Sequence, residues 1–95
     1  MYEVSWTTHA METLRNIIES APSDLSEAII DAAHRMQACL VEEGPTAGES
    51  RIENFRVVFA LPLITYIWVD PSEFIDTVTV VRILYRGKRS GKGMR

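Results

Sequence analysis

Apolar and polar residues alternate from the first positions of the chain. Tyr2, Val4 and Trp6 are set against Glu3, Ser5 and Thr7, the two-residue period of a half-buried strand. The period then lengthens. Met11, Leu14, Ile18 and Ala21 recur at helical spacing, with Glu12, Arg15 and Glu19 on the opposite side. This predicts a helix over residues 9–20, capped by Thr7 or Thr8 through a free first-turn N–H. Ala21-Pro22 closes it, because the residue before a proline is driven out of the helical region. A longer stripe of Leu25, Ala28, Ile29, Ala32, Met36, Cys39 and Leu40 predicts a second helix over 24–43. Asp24 with Glu27 three residues on has the form of a capping box, and Ser23 is an equally good cap. Glu42-Glu43-Gly44-Pro45 stops this helix, and Thr46 to Ser50 reads as a loop.

From Phe55 the period returns to two. Phe55, Val57, Phe59 and Leu61 alternate with Arg56, Val58 and Ala60, and Pro62 breaks or bends this strand because it cannot donate to a ladder. Leu63 to Val69 forms the next strand, Asp70-Pro71-Ser72-Glu73 has the residues of a type I turn, and Thr77 to Tyr85 is a third, β-branched run. The fold class is therefore α+β. An N-terminal strand and a two-helix hairpin precede a three-stranded antiparallel meander, and the four strands form one sheet with both helices on one face. The first strand must join that sheet, because alone it could not bury Trp6. Residues 1–89 make the single domain and 90–95 a basic, glycine-rich tail.

Length and composition agree with one domain. The chain has 95 residues, 46% hydrophobic and 24% charged, an ordinary globular balance. No signal-like or membrane-spanning stretch is present in the sequence, so a cytoplasmic protein away from the membrane is expected. One cysteine, Cys39, excludes an internal disulfide and a multi-thiolate metal site, and it reads as a small hydrophobe on the second helix. His9 and His34 are isolated. No metal or cofactor motif occurs, so neither is expected.

Charge is distributed unevenly. Residues 1–50 carry nine acids against two bases, and residues 51–95 four acids against eight bases, giving halves of −7 and +4. Such asymmetry points to a polyanionic partner of the second half or to a solvated pair of helices followed by a basic tail. Arginine is the chemistry that remains: Arg51 after the loop, Arg56 and Arg82 in strands, Arg86 after Tyr85, then Lys88 and Arg89. A guanidinium fork suits phosphate. Strict alternation would put Val78, Val80, Arg82, Leu84 and Arg86 on one face, and Thr77, Thr79, Val81, Ile83 and Tyr85 on the other. Arg82 could then bind a phosphodiester or neutralise helix acids such as Glu27 or Asp31. Ile64, Tyr66 and Trp68 share one face of their strand and form a candidate partner surface.

This order of elements, opening with Tyr2-Glu3-Val4-Ser5-Trp6-Thr7, resembles the RelE/ParE family of toxins from bacterial toxin–antitoxin pairs. Ala47-Gly48-Glu49-Ser50-Arg51, Arg56-Val57-Val58-Phe59, Pro62-Leu63 and the run from Val69-Asp70 to Val78-Thr79-Val80 carry the likeness over about residues 2–89. The resemblance implies a cytoplasmic toxin neutralised by a cognate antitoxin. In the RelE branch it implies a ribosome-dependent mRNA endoribonuclease needing no metal or cofactor. By position, Arg56 falls near a strand lysine of that pattern and Arg86 near the arginine ending its last strand. The catalytic set implied is thus Arg56, Arg86, Arg51 and Tyr85, with Arg82, Arg86, Lys88 and Arg89 binding nucleic acid and Ile64, Tyr66 and Trp68 the antitoxin. Leu63 stands where the RelE pattern has an arginine, and no tyrosine follows the basic tail in the sequence. A ParE-like inhibitor of DNA gyrase, or a degenerate toxin that binds only its antitoxin, fits those two positions. The resemblance leaves the assembly open between a homodimer and a heterotetramer with the antitoxin. Outside the family, a generic α+β dimerisation or ligand-binding module accounts for the helices and sheet without the arginines.

Overall fold

The computed structural model describes residues 2–69 and 77–86. The turn expected at Asp70–Glu73, Lys88, Arg89 and the tail 90–95 lie outside the described residues. The chain is α+β: β1 (Glu3–Trp6), α1 (Thr8–Ser20), α2 (Ser23–Glu43), a 3-10 turn (Gly44–Thr46), β2 (Glu49–Ser50), β3 (Phe55–Ala60), β4 (Leu63–Val69) and β5 (Thr77–Tyr85). The strands lie in the order β1-β5-β4-β3-β2. β3, β4 and β5 form the expected antiparallel meander, and β1 runs parallel to β5, Trp6 standing opposite Val80.

The sheet has five strands, where the sequence predicts four. The extra strand is β2, which pairs Glu49 with Val57 and Ser50 with Arg56 at the edge of β3. Two residues carry no periodic signature, so this segment reads as loop in the sequence. What folds it back is Gly48 at φ +67°, a left-handed conformation that glycine adopts without the steric cost of a Cβ.

Local signals set the helices. The Thr7 hydroxyl accepts from the Ala10 N–H at 3.0 Å and caps α1. The second helix has no capping box. It begins at Ser23, directly behind Pro22, so Ser23 and Asp24 lie inside its first turn and no side chain caps it. Ser26 instead donates its hydroxyl to the Ile18 and Ala21 carbonyls, at 2.9 and 3.3 Å, satisfying the end of α1 and fixing the hairpin.

Both helices pack on one face of the sheet. Ala10, Ile29, Ala32, Met36 and Leu40 meet Val58, Ala60, Leu63, Ile67, Val78, Val80 and Ile83 in one core, with Leu14, Ile17, Ile18, Val4 and Trp6 partly buried around it. The Trp6 indole donates to Gln37 Oε1 at 3.2 Å, which ties β1 to α2. The predicted stripes run slightly wide of the mark at their ends, where Met11 and Leu25 are exposed.

One polar atom breaks the core. Thr65, at the centre of β4 between Val58 and Ile83, is fully buried, and its hydroxyl has no partner. An orphaned hydroxyl in an apolar core costs about 1–3 kcal/mol. Thr65→Val, close in shape, is therefore expected to raise stability by about 1 kcal/mol, read as a higher denaturation midpoint with an unchanged m-value. A lower midpoint would mean that the hydroxyl is bonded in solution.

Candidate nucleic-acid interface

Where Arg82 points is decided by a bulge. Tyr66 pairs with Arg82 but Ile67 pairs with Val80, so Val81 is an extra residue on β5. The strand period of two resets there. Val78 and Val80 face the helices before the bulge, Ile83 after it, and all three are buried. Arg82 and Leu84 are turned to the opposite face. The face predicted by strict alternation, with Val78, Val80, Arg82, Leu84 and Arg86 together, does not form. Arg82 also stands on the far side of the sheet from α2, so it does not neutralise Glu27 or Asp31; Asp31 is bonded by Arg35 at 3.1 Å.

The side chains of this second, open face fall in rows across the strands. Phe55, Trp68 and Thr79 form one row, Glu49, Val57, Tyr66 and Arg82 the next, and Phe59, Ile64 and Leu84 the third. No described element packs over them. Val57 and Ile64 are nonetheless buried, each flanked by larger side chains at neighbouring register positions, whereas Phe59 is 49% exposed and Leu84 36%. A cleft of about 430 Å³ crosses the face, lined by Phe55, Tyr66, Val81, Arg82 and Leu84. Arg82 is exposed and makes no hydrogen bond or ion pair among the described residues. At the opposite end of its row Arg51 Nη1 bonds Glu49 Oε1 at 3.2 Å and the Ser50 carbonyl at 3.1 Å. Arg82 thus stands at one end of a row containing Val57 and Tyr66 and the Glu49–Arg51 ion pair at the other, with aromatic rings in the row beside it.

The residues expected to act together are divided between the two faces. Arg56 occupies the helix side of β3, opposite Ser50 and Ile67. Its Nε donates to the Ala47 carbonyl at 2.7 Å, and its Nη2 to the Thr46 and Gly48 carbonyls at 3.3 and 3.0 Å. This guanidinium is a clamp on the turn leading into β2. Tyr85 stands opposite Leu63, on the helix side, and lines a separate cleft with Ile17, Pro22 and Leu25. Arg86 is exposed beyond the end of β5, where its backbone N–H bonds the Pro62 carbonyl at 2.7 Å. Ile64, Tyr66 and Trp68 do share one face, the open one.

The remaining members of this face differ in how visible they are in the sequence. Phe55 and Phe59 were legible as one side of an alternating strand. Glu49 brings a carboxylate into Arg82's row, and only the edge pairing of β2 with β3 reveals it. Elsewhere, burial pushes the Cys39 thiol above its ordinary pKa, and Glu43 one turn on adds a charge and a hydrogen bond in the same direction. That thiol is a poor nucleophile near neutral pH. Among the described residues no helix is long and apolar enough to cross a membrane, and no three His, Cys, Asp or Glu side chains converge as a metal site. No protein-family model matches the chain, and no curated protein matches it.

Proposed function

We propose that the chain is a cytoplasmic toxin of the RelE/ParE type, held inactive by an antitoxin and acting, when free, as a ribosome-dependent mRNA endoribonuclease. The observation that carries this reading is the open sheet face, where Arg82 stands at one end of a row through Tyr66 and Arg51, paired with Glu49, at the other. The order of strand, helical hairpin and meander supports it as well. Guanidinium groups hold and neutralise a phosphodiester, and rings beside them stack bases. Arg86, with Lys88 and Arg89 after it in the sequence, extends the positive charge. Arginine keeps its proton near neutral pH, so it supplies charge and not a general base. The ribosome completes the chemistry, and isolated RNA is left uncut. The antitoxin covers Ile64, Tyr66 and Trp68 with a strand or helix of its own and so occludes the face.

A second reading is favoured by Arg56 and Tyr85. With Arg56 bonded to three carbonyls and Tyr85 on the helix side, the catalytic set implied by the RelE pattern is not gathered in one place. A ParE-like gyrase inhibitor or a degenerate toxin needs no such set. Expression from a tight promoter separates the readings. Growth arrest with mRNA cut inside translated regions, lost in Arg82→Ala and Arg86→Ala, is the expected result. Arrest with an SOS response and intact mRNA assigns the target to gyrase. A soluble, folded protein with no effect on growth leaves antitoxin binding alone.

A further inference from the structure

We propose that in the free protein two copies pack open face to open face, about a two-fold axis that runs along the strands between β3 and β4. The inference goes beyond the toxin reading and does not depend on it; since both use the open face, the species that acts on RNA under that reading is the monomer in equilibrium with this dimer.

The argument rests on how the rows are ordered. A two-fold axis along the strands keeps each row opposite itself and reverses it from end to end. β3 then faces β4 of the second copy, and β2 faces β5. Phe55 comes opposite Trp68 and Phe59 opposite Ile64, each twice, while Tyr66 lies over Val57, which is already buried in its own copy. One row end carries Arg82 and the other the Glu49 carboxylate with its Arg51 partner, so Arg82 of each copy comes over Glu49 of the other. Glu49 already holds Arg51 at 3.2 Å, but its side chain is 65% exposed and has acceptor capacity left for a second guanidinium. A two-fold axis in the interface set across the strands would instead bring Arg82 toward its own copy. The surface is thus self-complementary in one orientation, as an isologous dimer requires. Its centre is apolar and aromatic and its charges lie at the rim, the division found in stable interfaces. The rim pairs fix register and orientation, while the rings supply the affinity.

The test is the oligomeric state of the purified chain, with no antitoxin or ribosome present, so its outcome is separate from that of the growth experiment. Sedimentation should show a concentration-dependent dimer. Arg82→Glu and Glu49→Lys, each confirmed as folded by circular dichroism, should weaken it at least about tenfold, since each sets like charges opposite one another. The double variant Arg82→Glu with Glu49→Lys exchanges the charges and should recover dimerisation. Trp68 emission should shift to the red on dilution as Phe55 of the second copy withdraws. A chain that stays monomeric at every concentration overturns the proposal. So does a dimer indifferent to both single reversals, or a double variant no better than the single ones.

Discussion

Gly48→Ala is expected to destabilise the protein by about 3 kcal/mol, the largest loss among the substitutions considered. Two penalties coincide at this position. The backbone sits at φ +67°, which costs an L-residue about 1–2 kcal/mol. A Cβ there would stand 2.1 Å from the Val57 carbonyl oxygen and 2.8 Å from its carbon, and backbone inside a sheet cannot swing away. Relief requires β2 to lift from β3. Gly44 makes an instructive control. Its φ is also positive, and a Cβ there would come within 2.3 Å of Tyr2 Cγ, but that neighbour is a side chain and not sheet backbone. Gly44→Ala should therefore cost less than Gly48→Ala. Chemical denaturation of both variants checks the order, and a Gly48→Ala loss below about 1 kcal/mol would mean that β2 is not held in solution.

Arg56→Ala should cost about 2–3 kcal/mol, because hydrogen bonds to a charged donor contribute about 1.5–3 kcal/mol and these are only partly shielded from water. Arg56→Lys should recover a minority of that loss, since one ammonium cannot reproduce a planar fork reaching three carbonyls. Arg82→Ala, on the open face, should stay within about 0.5 kcal/mol of the wild type. The contrast bears on how activity data are read. Loss of toxicity in Arg56→Ala would accompany a weakened fold, whereas loss in Arg82→Ala would leave the fold intact. A thermal melt of each variant separates them, and an Arg56→Ala protein as stable as wild type would return Arg56 to the candidate phosphate-binding groups.

Long periodic segments declared themselves in the sequence. The stripe from Ile29 to Leu40 and the alternation of Phe55 to Ala60 each repeat one physical signal over several residues, and each is found where expected. Features that depend on a single residue did not. The bulge at Val81 is invisible in a uniform run of β-branched side chains, yet it decides which face Arg82 occupies. The edge strand β2 has two residues and depends on one left-handed glycine. Arg56 reads as a phosphate ligand in the sequence because a guanidinium serves phosphate and carbonyl equally well. Only the turn of the chain back toward it, bringing the carbonyls of Thr46, Ala47 and Gly48 within reach, settles which it meets.

The pairing of β1 with β5 has a consequence for the order of assembly. Glu3 stands opposite Thr77, so β1 finds its strand partner only after the helices and the strands β2, β3 and β4 that lie between them in the chain. The helical hairpin and the β3–β4 hairpin close short loops and can form early, but the parallel pair must wait for a long-range closure. During synthesis Val4 and Trp6 therefore remain without their strand partner, exposed to the chaperones and proteases that meet a nascent chain. Once β5 arrives, β1 gains its parallel neighbour, and the sheet β1-β5-β4-β3-β2 is complete.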